Sequence, residues 1–280
     1  MSAPSASRRA VMSEPPAWLA RARREAEAAP ARPRVPLDLE GAGMRHRIGS
    51  IEPAIAARMA AAGLPLRCAG DGWCVDAPAQ PALAAIAAWL HAERIASHWR
   101  DELLAVVDVD GRTLAAIERG VVRILGLSTE AVHLVGCRAA GGTWVQLRSA
   151  GKATDPGLWD TLMGGQVAAG ESIEATLARE TLEEAGLALA DLHGLERCAP
   201  IVMRRPVREG YLVERIAVFR ATLDDGVVPI NRDGEVERFE CLADAALVES
   251  LAARKFTLEA TLILGAELER RGVLGARPGA

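Results

Sequence analysis

Apolar residues recur with two textures along the chain, and the change falls near residue 128. Before it, helical spacing dominates. Pro53 to Ala62 reads as a short helix, opened by proline and closed by Gly63. Pro81 to His98 reads as a longer one, with Leu83, Ile86, Trp89, Leu90 and Ile95 as its stripe. Trp73 to Val75 and Leu103 to Val109 read as strands, and Asp110-Gly111 supplies a turn. Thr113 to Leu125 is expected to be helical, with Leu114, Ile117, Val121, Ile124 and Leu125 on one side. After residue 128 short strands take over: Val132 to Arg138 and Thr143 to Arg148 flank Gly141-Gly142 as a hairpin. Leu158 to Met163, Pro200 to Arg204, Glu214 to Thr222 and Glu235 to Leu242 follow as strands. A helix from Thr257 to Arg271 comes last.

These textures divide the chain into a tail at 1–36, a small α+β accessory domain at 37–127, a second domain at 128–272 and a short tail at 273–280. The first tail is rich in Ala, Pro, Arg and Ser. Its one helix candidate, Trp18 to Ala28, carries little apolar surface, so a loosely docked segment is expected. In residues 37–127 no cysteine, histidine or acidic residues cluster, which places the chemistry downstream.

Composition narrows the classes. Half of the 280 residues are hydrophobic and a quarter charged, enough for packed cores. The net charge of −4 and the lack of a basic recognition helix speak against nucleic acid. No apolar run approaches a membrane span, and no apolar stretch follows Arg8 and Arg9 as a secretory signal would require. Five cysteines without a metal-site rhythm read as reduced thiols. A cytoplasmic protein is expected.

The chemistry concentrates in one stretch. Ser172 can cap a helix and Gly186 can end it. On that helix Glu180, Glu183 and Glu184 fall within one arc of about 100°. Ala178, Thr181, Leu182 and Ala185 are left to pack on a sheet. Three carboxylates so placed repel one another and meet the unfavourable end of the helix dipole. A divalent cation would reverse that repulsion, and Mg²⁺ or Mn²⁺ favours carboxylate oxygen. Gly164 and Gly165 allow close backbone approach, and Arg179 can fix a carboxylate rotamer.

The stretch Gly165-x5-Glu171-x7-Arg179-Glu180-Thr-Leu-Glu183-Glu184-Ala-Gly186-Leu187 resembles the Nudix box at every glycine and charged position. Thr181 replaces a bulky apolar residue. The resemblance implies an α/β fold: an α/β/α sandwich around a mixed sheet, with the small α+β domain in front. It implies a hydrolase of small diphosphates that uses Mg²⁺ or Mn²⁺. Glu180 and Glu184 would be the main metal ligands, with Glu183 as a further ligand or Arg179's partner. Arg179 would orient Glu180, Glu171 would brace the loop, and the carbonyl of Gly164 or Gly165 would complete the coordination. Glu235 and Glu237 are the later-loop candidates for general base. The resemblance also allows a homodimer.

A second resemblance rests on Arg47 to Pro53, His98 to Glu102, Ala116 to Arg119, Ala131 to Leu134, Lys152 to Gly157 and Asp233 to Glu237. These are similar to the Nudix portion of fungal thiamine pyrophosphokinases and their stand-alone relatives. They imply that thiamine diphosphate, or a damaged analogue, loses phosphate to leave the monophosphate. Arg148, Lys152, Arg204 and Arg205 are candidates to neutralise phosphates. Trp144 and Trp159 are candidates to stack on a heterocycle. His133, in an apolar strand, reads as structural. The alternatives are a pyrophosphatase for ADP-ribose, a dinucleotide or an oxidised nucleotide, and a non-catalytic ligand sensor. The intact set of box glutamates speaks against the sensor. The isopentenyl-diphosphate isomerases share the fold, but their Cys/His set has no counterpart here.

Overall fold

The computed structural model describes residues 14–41 and 43–274. Positions 1–13 of the expected first tail and 275–280 of the second lie outside the described residues. Helix α1 (Ala17–Ala26) precedes an N-terminal unit containing β1 (Val35–Gly41), β2 (Met44–Ile51), α2 (Pro53–Ala61), β3 (Leu66–Ala69), β4 (Gly72–Val75) and α3 (Ala79–Ala92). Its sheet runs β2-β1-β4-β3, with β1 and β4 parallel. Leu39, Ile51, Met59, Leu83, Ile86 and Leu90 are buried in its own core.

The hairpin β5 (Leu103–Val107) and β6 (Thr113–Glu118) completes this unit. Here the sequence expectation fails, because Thr113 to Leu125 is a strand followed by a 3₁₀ turn at Arg119–Val121. The Asp108 carboxylate accepts from the backbone N–H of Asp110 (3.0 Å) and of Arg112 (2.9 Å). That clip reverses the chain and delivers Thr113–Glu118 to the open edge of β5. A full ladder of backbone hydrogen bonds then outweighs a weak helical spacing.

The second unit contains β7 (Ser128–Arg138), β8 (Thr143–Arg148), β9 (Trp159–Asp160), β10 (Met163–Gln166), α4 (Ile173–Ala185), β11 (His193–Arg197), β12 (Ile201–Val207), β13 (Gly210–Leu223), β14 (Val236–Leu242), α5 (Asp244–Ala252) and α6 (Leu258–Arg270). The sheet is mixed: β13 runs parallel to β7 and the other pairs are antiparallel. Alternate residues face opposite layers. Val132, Leu134, Ala217 and Phe219 pack toward α4, whereas Ala131, Val135, Ile216 and Val218 pack toward α6. The result is an α/β/α sandwich preceded by a small α+β unit. Among the described residues no helix is long and apolar enough to cross a membrane.

One detail of the sheet places the site. Strands β7 and β8 pair only at Gly136–Trp144 and Cys137–Thr143, then diverge. Strand β10 takes the rest of that edge of β7, and β9 pairs with β8 at Gln146 and Leu147. The sheet therefore forks, and both branches supply site residues.

Residues 14–36 also differ from the loosely docked segment expected of them. Trp18, Leu19, Ala22 and Ala26 of α1 are buried in the layer formed with α6 and β12. Leu19 is fully buried, and a Cβ at Gly265 of α6 would lie 2.6 Å from its Cδ1. Tyr211 also donates its hydroxyl to the Ala28 carbonyl (3.1 Å). Four apolar residues suffice because α6 offers a glycine into which one of them fits. Leu19→Ala should lower unfolding free energy by about 2–5 kcal/mol, as other buried leucine truncations do. Chemical denaturation of the full chain measures it; a change under about 0.5 kcal/mol would mean that α1 does not dock.

Candidate functional site

The site grows from α4. Ser172 caps it through its hydroxyl to the Ala175 N–H (3.1 Å), and Gly186 ends it in the left-handed conformation, φ 67°. Its buried side differs from the expected one. Thr181 and Ala185 are inside, but Leu182 is 45% exposed and Glu184 is fully buried. The helix is turned so that Glu184 enters the sheet fork. Thr181 fits an apolar layer because its hydroxyl donates to the Leu177 carbonyl (2.6 Å).

Burial of Glu184 is possible because its oxygens are saturated. They accept from Gln146 Nε2 (2.9 Å), Lys152 Nζ (3.0 Å) and the Gly164 N–H (3.0 Å). Lys152 also pairs with Glu235, so one ammonium joins two carboxylates. The loop that brings Glu235 in is fastened to the end of α4. The N–H of Ile230 donates to Ala185 and that of Arg232 to the Glu183 carbonyl.

A second cation organises the other carboxylates. Arg179 forms a fork with Glu171 through Nε and Nη2, both 2.9 Å, and its Nη1 reaches Glu180 (2.8 Å) and Glu183 (3.0 Å). This pairing, helped by the Thr176 hydroxyl, lowers Glu171 to about 2. Glu180 moves the other way, up to about 7, through burial and then the charge of Glu184. A Cβ at Gly165 would overlap the Glu180 carboxyl, so only glycine permits this approach of strand to helix.

Beneath the fork lies a neutral support. His133 is held down at about 4 by burial. The Thr161 hydroxyl donates to the Met163 carbonyl, so it accepts from His133 Nδ1 at 2.9 Å. The imidazole ring fills the space that a Cβ at Gly164 would need. The structural role expected of His133 follows from this packing. Arg148 is spent on support too, donating to Asp160 (3.0 Å) and to the Thr154 carbonyl (2.9 Å).

The other expected substrate contacts divide. Lys152, Arg148 and Glu235 line the cleft. Glu237 is directed away, because the register slips between Val236 and Arg238, and it pairs with Arg238. Arg204 lies exposed on β12, and Arg205 sits in a separate depression beside α1, 3.8 Å from Glu259. Neither tryptophan lines the cleft. Trp144 is buried beneath α4. Trp159 packs near Phe256 with the Arg238 guanidinium over its ring. Both are drawn into packing because their strands turn those positions toward the layers rather than the fork.

Sequence reasoning missed several cleft residues. Gln146 reaches Glu184, and Gln166 Nε2 donates to Glu214 at 2.8 Å. Arg100, Arg119 and Arg123 enter from the N-terminal unit. The stretches holding Arg100 and Arg119 do figure in the second resemblance, but only as similarity.

Glu184 enters the fork, Glu180 lies against Gly165, and Arg179 gathers Glu171 and Glu183 beside them, with hard oxygen donors and a backbone that only glycine allows so close. Among the described residues no three His, Cys, Asp or Glu side chains already form a complete cation cage. Mg²⁺ commonly needs only one or two carboxylates, with water and substrate phosphates filling its shell. The donor set fits such an ion.

Residues 127–261 match the NUDIX domain. An uncharacterized Nudix hydrolase of Pseudomonas aeruginosa is 40% identical over 86 residues, 31% of this chain and 51% of that protein. The chloroplastic Nudix hydrolase 24 of Arabidopsis thaliana is 30% identical over 167 residues, 57% of this chain and 45% of that one. The chain spans about half the length of these curated relatives. A crystal structure of a Deinococcus radiodurans protein superposes with a TM-score of 0.49 at 21% identity, covering 59% of this chain and 98% of that one.

Glu214, buried beside the cleft, yields a pH prediction. Burial, and then the charge of Glu259, raises it from 4.5 to about 7. The folded state therefore keeps this proton at a pH where the unfolded chain releases it. Glu214's contribution is most favourable below about 4.5 and declines as pH rises through about 7. Glu214→Gln should lessen the fall in thermal midpoint between pH 5 and pH 8. Parallel wild-type and variant profiles across that range would refute the assignment.

Proposed function

We propose that the chain, whose residues 127–261 match the NUDIX domain, is a divalent-cation-dependent hydrolase that cleaves a phosphoanhydride bond of a small organic diphosphate. The observation that carries this reading is the pair Glu180 and Glu184. They stand one helical turn apart in the sheet fork, and the charge of Glu184 helps to push Glu180 up to about 7. A buried site that raises a carboxylate in this way gains most from an added positive charge.

In this proposal Glu180 and Glu184 hold the cation, Glu183 lies at its margin, and the carbonyl of Gly164 or Gly165 supplies a neutral donor. Bound there, Mg²⁺ or Mn²⁺ would neutralise phosphate charge and acidify a water molecule. The chain's own residues do the remaining work. Arg179 fixes the orientation of Glu180 while Glu171 anchors Arg179. Lys152 retains Glu235 over the cleft, where its carboxylate can accept a proton from the attacking water. Glu237, directed outward, has no such part.

The substrate class is a diphosphate joined to a further group. The resemblance to the Nudix portion of fungal thiamine pyrophosphokinases makes thiamine diphosphate and its oxidised analogues the first to test, with ADP-ribose and oxidised nucleotides beside them. The displaced tryptophans remove aromatic stacking as support for a thiamine ring.

The test is phosphate release by the full chain with Mg²⁺ or Mn²⁺, and Mn²⁺ binding followed by its paramagnetic signal. Glu180→Gln and Glu184→Gln should each reduce turnover by roughly 100-fold or more and weaken Mn²⁺ binding. Turnover by Glu184→Gln within a few-fold of wild type at saturating Mg²⁺ would sink the assignment. Gly165→Ala should also weaken Mn²⁺ binding, since its methyl group displaces the Glu180 carboxyl.

A further inference from the structure

The cleft does not end at the fork. One region lies against Glu180 and Glu183, and it continues past Gly165 and Gln166 to a wall supplied by the N-terminal unit. Arg119 lines it at both ends. At the far end the charged side chains among the described residues are Arg100, Arg119, Arg123 and Glu209, beside His98.

These arginines are brought together by construction. The buried carboxylate of Glu118 accepts from the N–H of Arg100 (2.7 Å) and of Gly120 (3.1 Å), clipping two loops to each other. At Gly120 a Cβ would overlap the His98 carbonyl, so the loops are in close contact. Arg119 pairs with Glu102 at 2.6 Å, and Arg123 is 3.6 Å from Glu209. Arg100 has no carboxylate partner among the described residues. Arg123–Glu209 links the two units, whereas Arg119–Glu102 lies within the N-terminal one. Three arginines that line one cavity, continuous along Arg119 with the region against Glu180 and Glu183, suit an anion that spans the two.

We infer that the N-terminal unit supplies the phosphate-binding wall of this site: Arg100, Arg119 and Arg123 hold the substrate phosphate that lies farther from Glu180 and Glu184. This rests on the phosphoanhydride reading above. It also gives that unit a task, since the carboxylate face alone repels a phosphate and Arg100, unlike the fork's own cations Arg148, Lys152 and Arg179, has no carboxylate partner among the described residues.

The test separates anion binding from hydrolysis. Full-length protein is titrated calorimetrically with methylenediphosphonate, a diphosphate mimic that resists cleavage, in the presence of EDTA. Wild type should bind, Arg100→Gln and Arg123→Gln should each bind about tenfold or more weakly, and Arg100→Lys should fall between them and wild type. Arg100→Gln decides the matter if Arg123→Gln fails to fold, because Arg100 has no ion pair to lose and its thermal midpoint should stay at the wild-type value. No binding by wild type, or unchanged affinity in Arg100→Gln, overturns the inference. Failure of the hydrolase reading would appear elsewhere, as undiminished phosphate release by Glu184→Gln with metal present, and would leave the EDTA titration as it was.

Discussion

The arrangement depends on how negative charge is held at the C-terminal end of α4. Glu180, Glu183 and Glu184 meet there, with Glu235 arriving from a later loop. Helix geometry alone makes that end unfavourable for anions. Two side-chain cations compensate, each bridging more than one carboxylate: Arg179 on the Glu171 side and Lys152 on the Glu235 side. Other features serve to bring these charges together. Gly165 makes room for Glu180, Gln146 and the Gly164 N–H saturate Glu184, and His133 supports Gly164 from below as a neutral ring.

The fork in the sheet makes such burial feasible. Were β7 and β8 paired along their whole length, backbone hydrogen bonds would close the space into which Glu184 enters. Their early divergence leaves polar backbone and side chains from both branches available to a carboxylate. It also opens a passage toward the N-terminal unit. That unit is bonded to the box itself, since the Ala169 N–H donates to the Leu103 carbonyl of β5 at 2.8 Å. The arginine wall and the carboxylate face are thus tied by main chain, not only by side-chain contact.

What could be read from sequence was what is local. The limits of α4 follow from Ser172 and Gly186, and the offsets of its glutamates name its acidic face. The hairpin around Gly141-Gly142 is equally local. Harder features depend on partners remote in sequence. Thr113–Glu118 shows helical spacing, yet the Asp108 clip and the edge of β5 make it a strand. Strand β1 alternates Leu37 and Leu39 with Asp38 and Glu40, a signal too short to stand apart from the proline-rich segment before it. Trp144 and Trp159 looked suited to a ligand because they neighbour the box in sequence, but strand alternation sends them to the packed layers. Arg100, Arg119 and Arg123 form no cluster until Glu118 joins their loops.

The docking of α1 bears on the order in which the protein is made. This helix is synthesised before every strand of the sandwich, yet its partners α6 and β12 come late in the chain. During translation its apolar face, with Trp18 and Leu19, must wait while both units emerge. The N-terminal unit has its own core and can form in that interval. The back layer of the sandwich can close only when Gly265 has left the ribosome and received Leu19. Closing this layer joins segments 246 residues apart, and a chain that has not yet reached Gly265 exposes the surface that the two helices later cover.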